Sequence, residues 1–293
     1  MTHIAAAPLS GIIPASQPER RTRTLLESTA AWVLAGVSAV ILVVAIGFLI
    51  TGGRFFVVET PSMGTAAPVG SLVIDRPVDV TTLHVGDVIT YREPTNPTVT
   101  YTHRITQMNR DGSFHTRGDI NGATDPWALT QRDVVGAPVL LVPYLGWVCK
   151  AAPILAIGGL LVWALTSTFT NPITRRSLRI AGACLTVSYA AFVLKALVNV
   201  VMITNTVTAG AVHATVVSTG ILPTRVQAHG GDSVRLLDGQ VGELTITKLT
   251  HNGLYQLVAT TDLSWVGWLI VGLVCALPLL WCLKIGHLKT VHP

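Results

Sequence analysis

Charge is scarce in this chain. Only 12% of its 293 residues are Asp, Glu, Lys or Arg, and half are hydrophobic; soluble globular domains carry roughly 25% charge. That balance argues against a wholly water-soluble enzyme and for a membrane protein with aqueous mass attached. Lysine is missing altogether before Lys150, so no lysine in the first half of the chain can act as a base. Cysteine is sparse: Cys149, Cys184, Cys275 and Cys282 lie in or beside apolar stretches, with no Cys-x-x-Cys pair. A disulfide framework and a metal knuckle are both excluded by that spacing, and no cofactor is expected. The net charge of +5 forms no basic stripe. The basic residues sit beside apolar spans, which fits membrane topology and not nucleic acid.

What is present is a succession of apolar spans. Residues 1–28 read as a cytoplasmic tail holding Arg20, Arg21 and Arg23. Residues 29–53 read as a transmembrane anchor, because 30–50 is almost wholly apolar and a span needs about 20 such residues. Two more spans are expected at 152–170 and 180–202, within a segment 151–203 whose short loop carries Arg175, Arg176 and Arg179. A fourth is expected at 264–283, ahead of a basic tail ending at residue 293. With the basic clusters inside, both termini are cytoplasmic, and segments 54–150 and 204–263 are extracytoplasmic. Lys195 falls within the third span, where it would snorkel outward unless the span ends earlier.

Segment 54–150 reads as β-rich. Apolar or β-branched runs at 54–59, 71–74, 87–91, 98–107 and 134–142 are separated by turn signals, including the hairpin dipeptide Asp111-Gly112. Segment 204–263 also reads as β-rich, with turns at Gly230-Gly231-Asp232, Asp238-Gly239 and Asn252-Gly253. At about 60 residues it is marginal as an independent domain.

Within the first β-rich segment lie a serine, a histidine and two acids: Ser62 in Thr60-Pro61-Ser62-Met63, His103 in Tyr101-Thr102-His103-Arg104, then Asp119 in Gly118-Asp119, and Asp125. A serine attacks an acyl carbon only when a base takes its proton. Lys150 is the earliest lysine available and histidine titrates near neutral pH, so histidine is the better base. His103 is favoured over His84, in a surface turn, and His115, near a hairpin tip, because a strand holds a base more rigidly than a loop. An acid beside the imidazole would fix its tautomer; Asp119 and Asp125 both remain candidates.

Taken in order, Pro61-Ser62-Met63, Gly70-Ser71-Leu72-Val73-Ile74, Gly86-Asp87-Val88-Ile89-Thr90-Tyr91, Thr102-His103-Arg104-Ile105, Thr116-Arg117-Gly118-Asp119, Asp125 and Pro143-Tyr144-Leu145-Gly146 resemble type I signal peptidases over about residues 30–150. The likeness is to the branch in which histidine is the base, found in the endoplasmic reticulum, in archaea and in some Gram-positive bacteria. The resemblance implies a β-rich catalytic domain resting on the membrane, with Ser62 as nucleophile and His103 as base. Asp119 and Asp125 would assist singly or together. It implies an oxyanion site from the Ser62 backbone N–H, with the Thr60 hydroxyl beside it. An extended substrate would lie along 55–59, touching Phe55, Val57 and Glu59. The implied partners are signal peptides of secretory preproteins, the lipid bilayer and the secretion translocon. The run Gly64-Thr65-Ala66-Ala67-Pro68 departs from the family by displacing its proline, and the resemblance does not reach 204–263. The competing expectation is a non-enzymatic membrane assembly or export factor that keeps a peptidase-like domain.

Overall fold

The computed structural model describes residues 18–208, 211–229, 231–247 and 255–287. The chain divides after Gly52 into two units. In the first, helix α1 (Pro18–Ile50) takes in the arginines and the apolar run together. Of the tail expected at 1–28, residues 18–28 belong to α1 and residues 1–17 lie outside the described residues.

The second unit is mixed α and β, with antiparallel sheets. The order of elements begins β1 (Arg54–Val57), a 3₁₀ segment (Pro61–Ala66), β2 (Leu72–Arg76), β3 (Val88–Glu93), β4 (Asn96–Met108), β5 (Phe114–Arg117) and β6 (Val134–Val142). These strands form one six-stranded sheet in the order β1-β2-β6-β3-β4-β5. Alternation in sequence becomes sidedness here. In register, Ile89 faces His103, Tyr91 faces Tyr101, and Ile105 faces Thr116, so these side chains share one face. That face is the core: Ile89, Tyr91, Ile105 and Phe114 are buried with Val80, Leu83 and Leu129. The β4–β5 turn is closed by Asp111, whose carboxylate accepts from the Ser113 backbone N–H at 3.0 Å, and by Gly112 at φ 83°.

The helices α2 (Leu145–Ser167) and α3 (Pro172–Leu194) form an antiparallel hairpin. Asn171 starts α3 by accepting from the Ile173 N–H at 2.9 Å, with Pro172 in the first turn. The two helices approach closely where side chains are small: a Cβ on Gly158 would meet Thr186 Cγ2 at 2.3 Å, and one on Gly182 would meet Val162 Cγ2 at 2.6 Å. Beyond them come β7 (Val200–Thr208), β8 (Ala211–Ser218), β9 (Thr224–Ala228), β10 (Ser233–Leu236), β11 (Val241–Ile246), β12 (Leu257–Thr261) and helix α4 (Trp265–His287). These strands make two three-stranded sheets, β10-β9-β12 and β11-β8-β7. Between the sheets are buried Val216, Val226, Leu236 and Leu244 in one cluster and Val212, Ala214, Ala228 and Ile246 in another.

Four spans were expected, and two are found among the described residues. Among the described residues, two helices are long and apolar enough to cross a membrane, α2 and α3, and shorter apolar stretches lie at Ala35–Ile50 in α1 and Trp265–Pro278 in α4. The span boundaries also move. The expected span at 152–170 starts at Leu145, so the first β domain ends at Tyr144 and Lys150 is helical. The expected span at 180–202 runs instead from Pro172 to Leu194, so Arg175, Arg176 and Arg179 lie in the first turns of α3 and not in the connecting loop; Lys195 takes φ 52° as the helix C-cap, and the apolar run from Val200 is strand β7, so Lys195 is not an intrahelical charge. Of the later turn signals, Asp238-Gly239 links β10 to β11. Gly230 and Asn252-Gly253 lie outside the described residues.

One buried charge stands out in the first β domain. Asp75 on β2 is 1% exposed, and neither carboxylate oxygen has a hydrogen-bond partner among the described residues. Burial pushes its carboxyl up to about 6, countered partly by the Thr90 hydroxyl, which is itself engaged with Thr102 at 2.8 Å. A raised folded-state value means that stability falls as pH climbs from the ordinary carboxylate value to about 6 and then stays lower. Asp75→Asn is therefore expected to stabilise the fold at pH 8 by about 1–3 kcal/mol. The gain should fade by pH 4, as measured by melting of variant and parent side by side.

Candidate active site

Ser62 is the second residue of the 3₁₀ segment, whose entry is set by Thr60 in extended conformation and by Pro61. An N–H in the first turn of a helix has no acceptor within that helix, which leaves the Ser62 N–H available to an oxyanion. The segment contains a kink at Gly64, with φ 52° and ψ −129°, a conformation tolerated essentially by glycine alone. The Thr60 hydroxyl makes no capping bond and lies 3.4 Å from Ser62 Oγ.

His103 lies on the buried face of β4 and is 3% exposed. Its Nε2 is 2.9 Å from Ser62 Oγ, and its Nδ1 is 2.7 Å from Asp125 Oδ2. The same Asp125 oxygen accepts from the Thr116 hydroxyl at 2.6 Å and from the Tyr91 hydroxyl at 2.9 Å. Burial raises the Asp125 carboxyl, but the bonds from His103 and Thr116, the charge of His103 and the bond from Tyr91 outweigh it and hold the group below the usual range. Burial also pushes the Tyr91 phenol up, with the Asp125 charge adding to it, so Tyr91 stays a donor. An ionised Asp125 accepts a hydrogen bond from the Nδ1–H of His103. That assigns the tautomer whose Nε2 lone pair accepts the serine proton. The imidazole is walled by Tyr101 at 5.4 Å and Tyr91 at 6.2 Å between ring centroids, and Trp127 packs on both tyrosines.

The two candidate acids thus separate. Asp119 does not meet His103. It forms a two-pronged pair with Arg104, at 2.8 and 2.7 Å, while Arg104 also donates to the Gly86 carbonyl. Its loop is nonetheless against the nucleophile: Ile120 N–H donates to the Ser62 carbonyl at 3.0 Å. A Cβ on Gly118 would sit 2.7 Å from that carbonyl oxygen, so this close approach requires glycine. Tyr91, Thr116 and the Arg104 clamp were not singled out from sequence; their signal is strand register, which places Tyr91 and Thr116 on the face of His103.

A groove of about 590 Å³ runs up to Ser62, lined on one side by 55–60 and on the other by 98–102, with Met63, Ala67 and Val73 also in its lining. Phe55, Val57 and Glu59 all line it. β1 is the outermost strand of the sheet, and on β4 the pairing with β5 begins only at Arg104. Lys150, the one lysine that could have competed as base, pairs with Glu59 at 2.7 Å. His84 and His115 are not brought to Ser62. Helix α2 is seated directly on this domain. Gly146 approaches the Gly70 and Ser71 carbonyls so closely that a Cβ there would lie 2.6 and 2.8 Å from them, and Trp147 N–H donates to the Gly70 carbonyl at 3.2 Å.

No protein-family model matches this chain, and a search of curated proteins finds none similar to it.

Proposed function

We propose that this protein is a membrane-bound serine endopeptidase that removes signal peptides from secretory preproteins, as the resemblance to type I signal peptidases implies. The observation that carries the reading is the unbroken line of hydrogen bonds from Asp125 through His103 to Ser62, with Ser62 lining a groove of about 590 Å³. Ser62 Oγ attacks the scissile carbonyl as His103 Nε2 takes its proton. The Ser62 N–H, with the Thr60 hydroxyl beside it, stabilises the developing oxyanion. His103 then gives its proton to the leaving amine, and the acyl-enzyme is hydrolysed by a water that His103 activates in turn. Asp125 stays ionised throughout and steadies the imidazolium.

The substrate lies as a strand along 55–59 and the first half of β4, gaining main-chain bonds from the sheet. Ala67, Met63 and Val73 in the groove wall favour small side chains next to the cut. Helices α2 and α3 hold the domain to the bilayer, with Arg175, Arg176 and Arg179 at their connecting end on the cytoplasmic side. Both β segments flank the opposite ends of these helices and so share the outer face. Because α2 begins against the 70–71 loop, the cut is made close to the membrane surface, where a signal peptide's apolar core stays in lipid.

The test is incubation of the purified protein in detergent with a model preprotein, reading the cleavage position by mass. Cleavage after a small residue is expected; failure to cut any preprotein, with the protein folded, would overturn the reading. Cleavage is also expected to fall on the acid side, because a protonated imidazole cannot accept the serine proton. A rate that does not fall on the acid side would remove His103 as base.

A further inference from the structure

We infer that the second β module (residues 200–261) is a positioning part of the active site, acting through a backbone contact between its Gly239 and Gly64 of the nucleophile loop. This rests on the peptidase reading for its consequence, but the contact itself does not depend on that reading. Gly64 holds the kink two residues after Ser62, and a residue kept in a sparsely populated conformation persists only where its surroundings fix it. Those surroundings come from two sides. A Cβ on Gly64 would lie 2.6 Å from Ile120 Cγ2 and 3.3 Å from the Gly239 carbonyl oxygen. In the other direction, a Cβ on Gly239 would lie 2.6 Å from the Gly64 carbonyl oxygen and 2.9 Å from Thr65 Cα. Two main chains therefore touch with no side chain between them, and glycine is required on both.

The turn that presents Gly239 is rigidly built. Gly239 has φ 74°, and its N–H donates to the Ser218 carbonyl at 2.9 Å at the end of β8. Ser218 N–H donates to the Gln240 carbonyl at 3.1 Å, and the Gln240 side chain accepts from the Leu237 N–H at 2.9 Å. Leu236, at the entry to the turn, is buried in the module's own core. The module thus delivers a fixed backbone point to a loop whose neighbour Ser62 must keep its Oγ 2.9 Å from His103. Displacements of about 1 Å at such a pair cost on the order of 100-fold in rate.

The experiment uses Gly239→Asn in the full-length protein. Asparagine tolerates a left-handed backbone, so the variant adds the Cβ clash with little strain in its own turn. Gly112→Asn is the control, since Gly112 has φ 83° with open space around it. The expected result for Gly239→Asn is a kcat lowered about 10-fold or more with KM within about 3-fold, and faster amide exchange over 61–67. The control should change neither. Parental kcat and exchange in folded Gly239→Asn would overturn the inference. If the parent cuts no preprotein, the peptidase reading fails alone, and exchange over 61–67 still decides the contact: faster exchange supports it, unchanged exchange overturns it. If Gly239→Asn unfolds the module itself, the parent is followed in mild denaturant. Amides of 61–67 should then lose protection together with those of 237–241, and protection that outlasts the module's would overturn the inference.

Discussion

Ser62→Ala and His103→Ala are each expected to lower kcat for preprotein cleavage by about 10³-fold or more, and the double variant should be little worse than either. The two side chains act as one unit. Without the hydroxyl there is no acylation for the imidazole to assist, and without the imidazole the 2.9 Å acceptor for the hydroxyl proton is gone. KM should change little, because the groove residues that would bind the peptide are elsewhere in 55–60 and 98–102. His115→Ala is the contrasting variant. His115 neighbours Thr116 on β5 and so points to the other face from His103; its loss should leave kcat within about 3-fold. A fully active His103→Ala would dismantle the assignment, since Lys150 is tied to Glu59 and offers no ready replacement. Equal additive losses in the double variant would show that the two residues do not work together.

How much of this could be read from the chain depended on whether the information was local. Strand positions in the first β domain were legible from alternation and from turn chemistry such as Asp111-Gly112. The apolar runs were legible as runs, but hydropathy does not distinguish a buried strand from a helix. The run 196–202 was therefore absorbed into a span, although Lys195 in a left-handed conformation ends α3 and Val200 begins β7. Residues 145–150 fell within the expected β-rich segment 54–150, because the first turn of α2 is fixed by its contact with Gly70, which no local pattern encodes. The site followed the same rule. Ser62 and His103 could be picked out by residue type and setting. Asp119 and Asp125, each in a turn-rich stretch and six residues apart, could not be told apart until β4 and β5 were paired and Thr116 and Tyr91 were seen to converge on one of them. The Gly64–Gly239 contact joins positions 175 residues apart and leaves no trace in composition or periodicity.

That separation of the acids leads to the second large effect. Asp125→Asn is expected to lower kcat by about 10³–10⁴-fold, whereas Asp119→Asn should cost less than about 10-fold. At Asp125, one oxygen collects bonds from His103, Thr116 and Tyr91. A neutral amide no longer stabilises the imidazolium, and an amide N–H turned toward Nδ1 would select the tautomer that presents N–H, not a lone pair, to Ser62. The fold should survive near neutral pH, because the Tyr91 and Thr116 hydroxyls can rotate to suit an amide. The variant should also lose part of the acid sensitivity of folding. A carboxyl held low in the folded state contributes stability that is present above its ordinary value and lost as pH falls through the folded one. Asp119 sits differently. Its partner Arg104 is 38% exposed, and exposed ion pairs are worth about 1 kcal/mol or less. Its loop keeps the Ile120–Ser62 bond and the Gly118 contact when the charge is removed. Purified variants compared for kcat and for melting temperature from pH 4 to 8 decide the matter. An Asp119→Asn enzyme as slow as Asp125→Asn would mean that the Arg104 clamp, and not the Asp125–His103 bond alone, sets the geometry of the nucleophile.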